Sequence, residues 1–212
     1  MARPSDRQRG SGDRRRSGGG RGQDGRRKPA PQKDSRPGRP QRGRITAVPS
    51  GQLPRWVRDE IIRSTGKEKR EPAIFHLSKG MEAFADERYP AAAAELRKAK
   101  ELSPRAATIR ELLGLAAYRS GQWEEALREL RTFRRITGEM LHTPVELDCL
   151  RALGNHQGIA TAWKMIQEAD LHPETQNEAR VVYASYLVDQ GRPRDAWAVI
   201  RPGRLVASPT PG

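Results

Sequence analysis

Histidine and cysteine are the side chains of this sequence that most readily bind metals or act as nucleophiles. The four histidines are scattered along the chain, at His76, His142, His156 and His172. No two of them lie at the i, i+4 spacing that places two ligands on one helix face. Cys149 is the only cysteine, so no cysteine cluster accompanies them. The sequence therefore predicts no metal site.

Cys149 would need a positioned base to act as a nucleophile, and no motif for a nucleophile turn or an oxyanion-binding turn surrounds it. We expect a small buried apolar residue instead. The glycine run at residues 18–20 follows no predicted strand and precedes no Lys-Ser or Lys-Thr pair, so it is not a phosphate-binding loop. These observations predict a protein that is not an enzyme and binds no cofactor.

One cysteine excludes a disulfide within the chain, and the first residues lack the apolar core of a secretory signal. No apolar run approaches the roughly 18 residues that indicate a membrane-spanning helix. We therefore expect a cytoplasmic protein with no membrane span.

The elements that position these side chains are clearest in residues 107–138. Apolar residues from Ile109 to Leu115 recur at helical spacing, and Gly121 ends this helix because glycine readily adopts the left-handed conformation. A second helix follows, with acidic residues in its first turn and basic residues in its last, as the helix dipole favours. The stretch is predicted to be a helical hairpin.

The same pattern recurs at a step of 34 residues, in the pairs Gly80 and Gly114, Tyr89 and Trp123, Ala92 and Ala126, Leu96 and Leu130. One hairpin cannot bury its apolar face alone, so stacked copies are expected. A copy beginning at Asn177 places Gly191 at the turn. The copy between is assigned by spacing: Leu150 takes the position of the small residue, and residues 157–158 are predicted to form the turn.

This pattern resembles the tetratricopeptide repeat, in which small residues let two helices cross closely and an aromatic residue fills the adjoining volume. The resemblance covers residues 72–201 and implies an all-α fold, an antiparallel helical-hairpin solenoid of about four repeats. It also implies a concave wall that binds a protein or peptide partner. Carried onto this sequence, the groove residues are Ile74, Leu77, Met81, Phe84, Glu111, Leu115 and Tyr118.

Some members of that family clamp the carboxylate of a chaperone tail with Lys and Asn on the same wall. Glu111 stands in that stretch here and would repel a carboxylate. This departure argues against a chaperone-tail receptor.

Residues 45–71 form a bridge with one short amphipathic helix, predicted to begin at Pro54 and to end at Gly66. Its apolar face consists of Leu53, Trp56, Val57 and Ile61. Three placements are open: a cap on the first repeat, an occupant of the groove in the same chain, or a recognition peptide for another protein.

The first 44 residues contain no Val, Ile, Leu, Phe, Tyr or Trp, and 15 Lys and Arg against 4 Asp give them +11 of the chain's net charge of +14. We expect them to be disordered, because they have little apolar surface to bury; residues 202–212 are also expected to be disordered. Clustered arginine indicates RNA or another polyanion as ligand, although a solubilising role accounts for the same composition. The predicted polyanion-binding residues are Arg14, Arg15, Arg16, Arg26, Arg27, Lys28, Arg39, Arg42 and Arg44.

Together these features predict a non-enzymatic protein–protein interaction module or scaffold. The alternative is an RNA- or ribosome-associated factor, in which the basic tail binds nucleic acid and the repeats position a partner.

If the tail binds polyanions, removing residues 1–44 should abolish the affinity for RNA, because most of the net charge leaves with them. For the full chain, the affinity should fall steeply with salt and vary little with base sequence, because counterion release drives such binding. Fluorescence anisotropy with two unrelated RNA oligonucleotides at several salt concentrations measures this. A truncated chain that binds RNA as tightly as the full chain would refute the prediction.

Overall fold

The described part of the protein is built from α-helices alone. The computed structural model describes residues 53–201, and within that range it has nine helices and no strand. The prediction of an all-α fold is confirmed. None of these nine helices is both long enough and apolar enough to cross a membrane. They are α1 (Arg55–Ser64), α2 (Lys67–Ala85), α3 (Tyr89–Leu102), α4 (Ala107–Arg119), α5 (Trp123–Thr137), α6 (Thr143–Ala152), α7 (His156–Glu168), α8 (Pro173–Asp189) and α9 (Pro193–Ile200).

From α2 onward, consecutive helices pack in pairs. α2 packs along α3, α4 along α5, α6 along α7 and α8 along α9. The pairs also contact one another, since α3 packs on α4, α5 on α6 and α6 on α8. One apolar core extends from α1 to α4, and a second extends from α4 to α8. α4 contributes to both cores and therefore has a central place in the packing.

Glycine sets the distance at which the first two pairs cross. A Cβ atom added to Gly80 would lie 2.6 Å from Cγ of Leu96, and one added to Gly114 would lie 2.7 Å from Cγ of Leu130. Both leucines are fully buried, so neither has open space to move into. The residues that carry the 34-residue spacing thus make the same close contact in both pairs.

The third pair has the opposite arrangement. Leu150 lies on α6, the first helix of this pair, and a Cβ added to Gly158 of α7 would lie 2.7 Å from Cδ2 of Leu150. The predicted turn at residues 157–158 is wrong: the chain turns at Gly154, whose φ is 63°. The Asn155 side chain then accepts a hydrogen bond from the Gly158 backbone N–H at 2.8 Å. Because asparagine caps helices well, α7 starts at His156, before Gly158.

The bridge contains the predicted helix, α1, which follows Pro54 and packs on α2. Its residues Val57 and Ile61 are fully buried. α2 begins at Lys67, upstream of the expected start of the repeats at residue 72, and it accommodates Pro72 in its second turn. Only a short connection therefore separates α1 from α2.

A buried carboxylate ties α3, α4 and α5 together. The Glu129 side chain of α5 has no exposed surface, and it accepts hydrogen bonds from Lys100 of α3, at 3.1 Å, and from Arg110 of α4. Burial alone would raise the pKa of Glu129, but Arg110 and Lys100 outweigh that effect and hold the pKa below its ordinary value. The ion pairs therefore stabilise the packing of α4 against its neighbours while Glu129 is ionised.

We expect Gly114→Leu to lower the free energy of unfolding by about 1–3 kcal/mol, because the new side chain must enter the space filled by Leu130. Ala94→Leu, at an exposed position of α3, is the matched control and should change it by less than about 0.5 kcal/mol. Urea denaturation followed by circular dichroism measures both variants. Equal stability of the two would show that α4 and α5 do not cross at Gly114.

Glu129 should also give the protein an acid-sensitive stability. Its pKa is depressed in the folded state, so its contribution is complete above the unfolded value of about 4.3 and is lost as the pH falls through the folded value. Glu129→Gln should destabilise the protein by about 1–3 kcal/mol at pH 7, because Arg110 and Lys100 lose their buried partner. The difference from wild type should narrow in urea titrations below about pH 4. Glu124→Gln, in the exposed first turn of α5, is the control, and a pH-independent difference for Glu129→Gln would contradict the linkage.

Candidate functional site

An open groove of about 430 Å³ is bordered by the first helix of each of the four pairs and by the segment before α6. Its walls come from α2, α4, α6 and α8, the helices that begin each pair. Most of its lining residues are apolar or aromatic, and the other four are two glutamates, an arginine and a histidine. The lining residues are Phe84, Leu112, Leu115, Tyr118, Leu141 and Val145, with Glu111, Arg119, His142 and Glu178.

α4 supplies half of these side chains because one of its faces is free of the hairpin contact. Leu115 lies four residues after Glu111, and Tyr118 and Arg119 lie three and four residues after Leu115, which places all four along one side of the helix. Gly114 lies on a different side, against α5. The close crossing that pairs α4 with α5 therefore leaves the groove face open.

The structure brings together four of the seven predicted groove residues: Phe84, Glu111, Leu115 and Tyr118. Their role in binding stays a prediction. Met81 is half-buried against the first core. Ile74 and Leu77 are 9% and 0% exposed and do not line the open groove, contrary to the sequence-based assignment. The reason is α1, which packs on α2 and shares a core with both residues.

A buried polar pair lies at the base of the groove. His142 Nε2 lies 2.8 Å from Glu111 Oε1, and the two side chains are 13% and 8% exposed. The Phe133 ring packs on the imidazole, with the ring centroids 5.5 Å apart. The Glu111 carboxylate therefore already has a partner within the protein.

Besides Leu112 of α4, sequence reasoning missed three groove residues of a different segment, Leu141, His142 and Val145. They lie in and just after the segment between the second and third pairs, where two extra residues interrupt the 34-residue spacing. The repeat pattern assigns no wall position to such residues. A weak signal was present in the apolar Leu141 and Val145 on either side of Pro144, which lies in the first turn of α6.

A hydrogen-bonded chain connects α4, α6 and α8 beside the groove. The Tyr118 hydroxyl donates to Asp148 Oδ2 at 2.7 Å, and Arg151 Nε donates to Asp148 Oδ1 at 2.8 Å. Arg151 also donates to Asp189 Oδ2 at 2.8 Å. Burial, and then the bond to Asp148, raise the pKa of Tyr118, so its phenol remains a donor at neutral pH. The chain stabilises the relative placement of three groove helices.

Two exposed charges flank the apolar lining. The Arg119 guanidinium lies 5.9 Å from the centre of the Tyr89 ring, within the range of a cation–π contact. Glu178 of α8 is exposed and forms no ion pair within residues 53–201. The groove thus offers one positive and one negative group on different helices.

Within residues 53–201, the cysteine and histidine side chains do not form a nucleophilic site or a metal site. Cys149 is fully buried, and burial, followed by nearby Asp148 and Glu146, raises the pKa of its thiol to about 12. The thiol is therefore protonated at neutral pH and inaccessible to solvent. In the described part of the chain, no three His, Cys, Asp or Glu side chains come together as a metal site. The nine predicted polyanion-binding residues, from Arg14 to Arg44, lie outside the described residues.

No family model, curated protein or solved structure matches this chain. The resemblance to the tetratricopeptide repeat accordingly rests on the residue pattern.

Proposed function

We propose that this protein is a non-enzymatic protein-interaction module, with tetratricopeptide-like hairpins whose open groove binds an apolar segment of a partner protein. The observation that carries the proposal is the groove itself, an accessible concave surface with contiguous apolar side chains from several helices. Surfaces of this kind receive helices or extended apolar peptides.

A partner can cover the groove at little cost because the polar groups at its base already have hydrogen-bond partners within the protein. Glu111 and His142 contact each other, and the Tyr118 hydroxyl donates to Asp148. A partner that excludes water from these groups leaves few of them without a hydrogen bond, so the penalty for burying polar atoms is small. Covering Phe84, Leu115 and their apolar neighbours contributes about 25 cal/mol per Å² of apolar area.

The flanking charges give the bound segment a direction. An acidic group of the partner is favoured beside Arg119, and a basic group is favoured beside Glu178. Such exposed charges contribute to selectivity and association rate more than to affinity. The preferred partner segment is therefore apolar in the middle, with opposite charges at its two ends.

The test is a pull-down with the intact tagged chain from an extract of the source cells, followed by titration of each captured protein. Leu115→Asp should weaken binding of a true groove partner at least about 10-fold, because a charge replaces an apolar side chain that the partner covers. Ile136→Asp is the matched control, since Ile136 is 40% exposed on α5, outside the groove. Circular dichroism confirms that both variants are folded.

Charge reversal gives a second measurement on the same partner. Glu178→Lys should slow association and change its salt dependence more than it changes the dissociation rate. A captured protein whose affinity is the same for wild type, Leu115→Asp and Glu178→Lys does not bind the groove. If every captured protein behaves in this way, the proposal fails.

A second candidate function is association with RNA or ribosomes through the N-terminal residues. The supporting observation is their net charge of +11, against 19 basic and 18 acidic residues in positions 73–212. Nuclease treatment before the pull-down separates the two functions. Groove partners survive it, whereas proteins held through RNA are released.

A further inference from the structure

We propose that the surface beneath α1 is a second recognition site, which α1 occupies as an internal ligand and which accepts an amphipathic helix of a partner protein. The inference goes beyond the open groove and does not depend on it. Three contacts of α1 define the chemistry of the helix that the site takes: two apolar anchors and one carboxylate.

The apolar anchors are Val57 and Ile61, four residues apart on one side of α1. Both have no exposed surface, and they share a core with Leu77 of α2. The pair buries two side chains from a helix of only ten residues. A partner helix with branched apolar residues at the same spacing can make the same contacts.

The carboxylate belongs to Glu60, which lies at the N-terminus of α4. Glu60 Oε1 accepts hydrogen bonds from the backbone N–H groups of Ala107, at 2.6 Å, and Thr108, at 3.4 Å. Its other oxygen accepts a bond from the Thr108 hydroxyl. α4 has no cap of its own, because Ala106 occupies the N-cap position. The site therefore selects a negative group, which satisfies free N–H donors at the positive end of the helix dipole.

α1 does not cover the first helix pair as an end cap would. Phe75 of α2 remains 57% exposed, so α1 leaves that side of the first pair uncovered. Phe84, which lines the open groove, also packs on the core that contains Val57 and Ile61. The site beneath α1 and the open groove therefore border the same core.

α1 is held in a way that permits exchange. A helix of ten residues has little stability of its own in water. Its outer side carries exposed Arg55, Arg58 and Arg63, together with Ile62, which is 40% exposed. Its C-terminal end is anchored where the Thr65 hydroxyl donates to Ser103 Oγ at 2.5 Å. Displacement can proceed from the N-terminal end while this anchor stays in place. The competing partner must overcome the high effective concentration of a tethered segment.

The probe is a fluorescent synthetic peptide of residues 53–65, titrated into the full-length protein. Wild type should bind it weakly, because its own α1 fills the site. A Val57→Ala/Glu60→Ala variant of the full chain, with α1 loosened, should bind the peptide at least about 10-fold more tightly. Hydrogen exchange should show faster exchange in residues 55–64 of this variant and in the first turn of α4, which loses its bonds to Glu60, with unchanged protection in the rest of α4 and in α5.

Two altered peptides test the carboxylate. The E60Q peptide should bind the loosened variant about 5–10-fold more weakly than the native peptide, because it loses the charged cap of α4. The D59N peptide removes the same charge one residue away and should bind as the native peptide does. Leu115→Asp, added to the loosened variant, should leave peptide binding unchanged, which separates this site from the open groove.

Three results would overturn the proposal. One is a folded, loosened variant that does not bind the native peptide. Another is equal affinity for the E60Q and native peptides. The third is loss of the whole fold, or unaltered protection of α1, in the Val57→Ala/Glu60→Ala variant, since either would show that α1 is not an exchangeable ligand held by these contacts.

Discussion

The close crossing of paired helices is the constraint on which the rest of the structure depends. At Gly80 and Gly114 the first helix of a pair comes so near to a buried leucine of the second that a Cβ atom would not fit. Such a contact fixes the rotation of each first helix about its own axis, because only one side carries the glycine. That rotation also determines where the other sides of the helix point. On α4, the side that carries Gly114 faces α5, and another side lines the groove. Core, groove and α1 site all follow from that rotation.

Sequence alone predicted the parts of the fold that depend on local pattern. The Gly80–Leu96 and Gly114–Leu130 pairs predicted the first two hairpins, and the spacing of apolar residues predicted the apolar face of α1. The burial of Leu77 could not be read in this way, because it depends on where α1 docks. Phe84 and Leu115 line the open groove, whereas Ile74 is covered because it packs in the core that α1 shares. A repeat pattern describes what each unit has in common, and α1 lies outside the repeats.

The charged residues show a similar division between what each helix contributes and what the assembly decides. Glu129 is held by Lys100 and Arg110 from two other helices, and Glu146 of α6 is held by Arg134 of α5 at 3.0 Å. Nothing in the sequence near either glutamate announces its partner. Buried pairs of this kind add modest net stability, yet each disfavours a shifted packing in which one charge would be left alone. They therefore specify how neighbouring helices align more than they strengthen the fold.

The inverted contact in the third pair restricts which helices can pair with each other as the chain folds. The bulky residue is on the second helix in the first two pairs, as Leu130 is, but on the first helix in the third pair, as Leu150 is. If α5 and α6 met as a hairpin at these positions, two leucines would collide. If α4 met α7, Gly114 and Gly158 would face each other across a void. Shape thus separates the helices of the third pair from those of the first two pairs, which share one arrangement. Exchanging a single helix between the third pair and either of the other two therefore leaves a clash or a void.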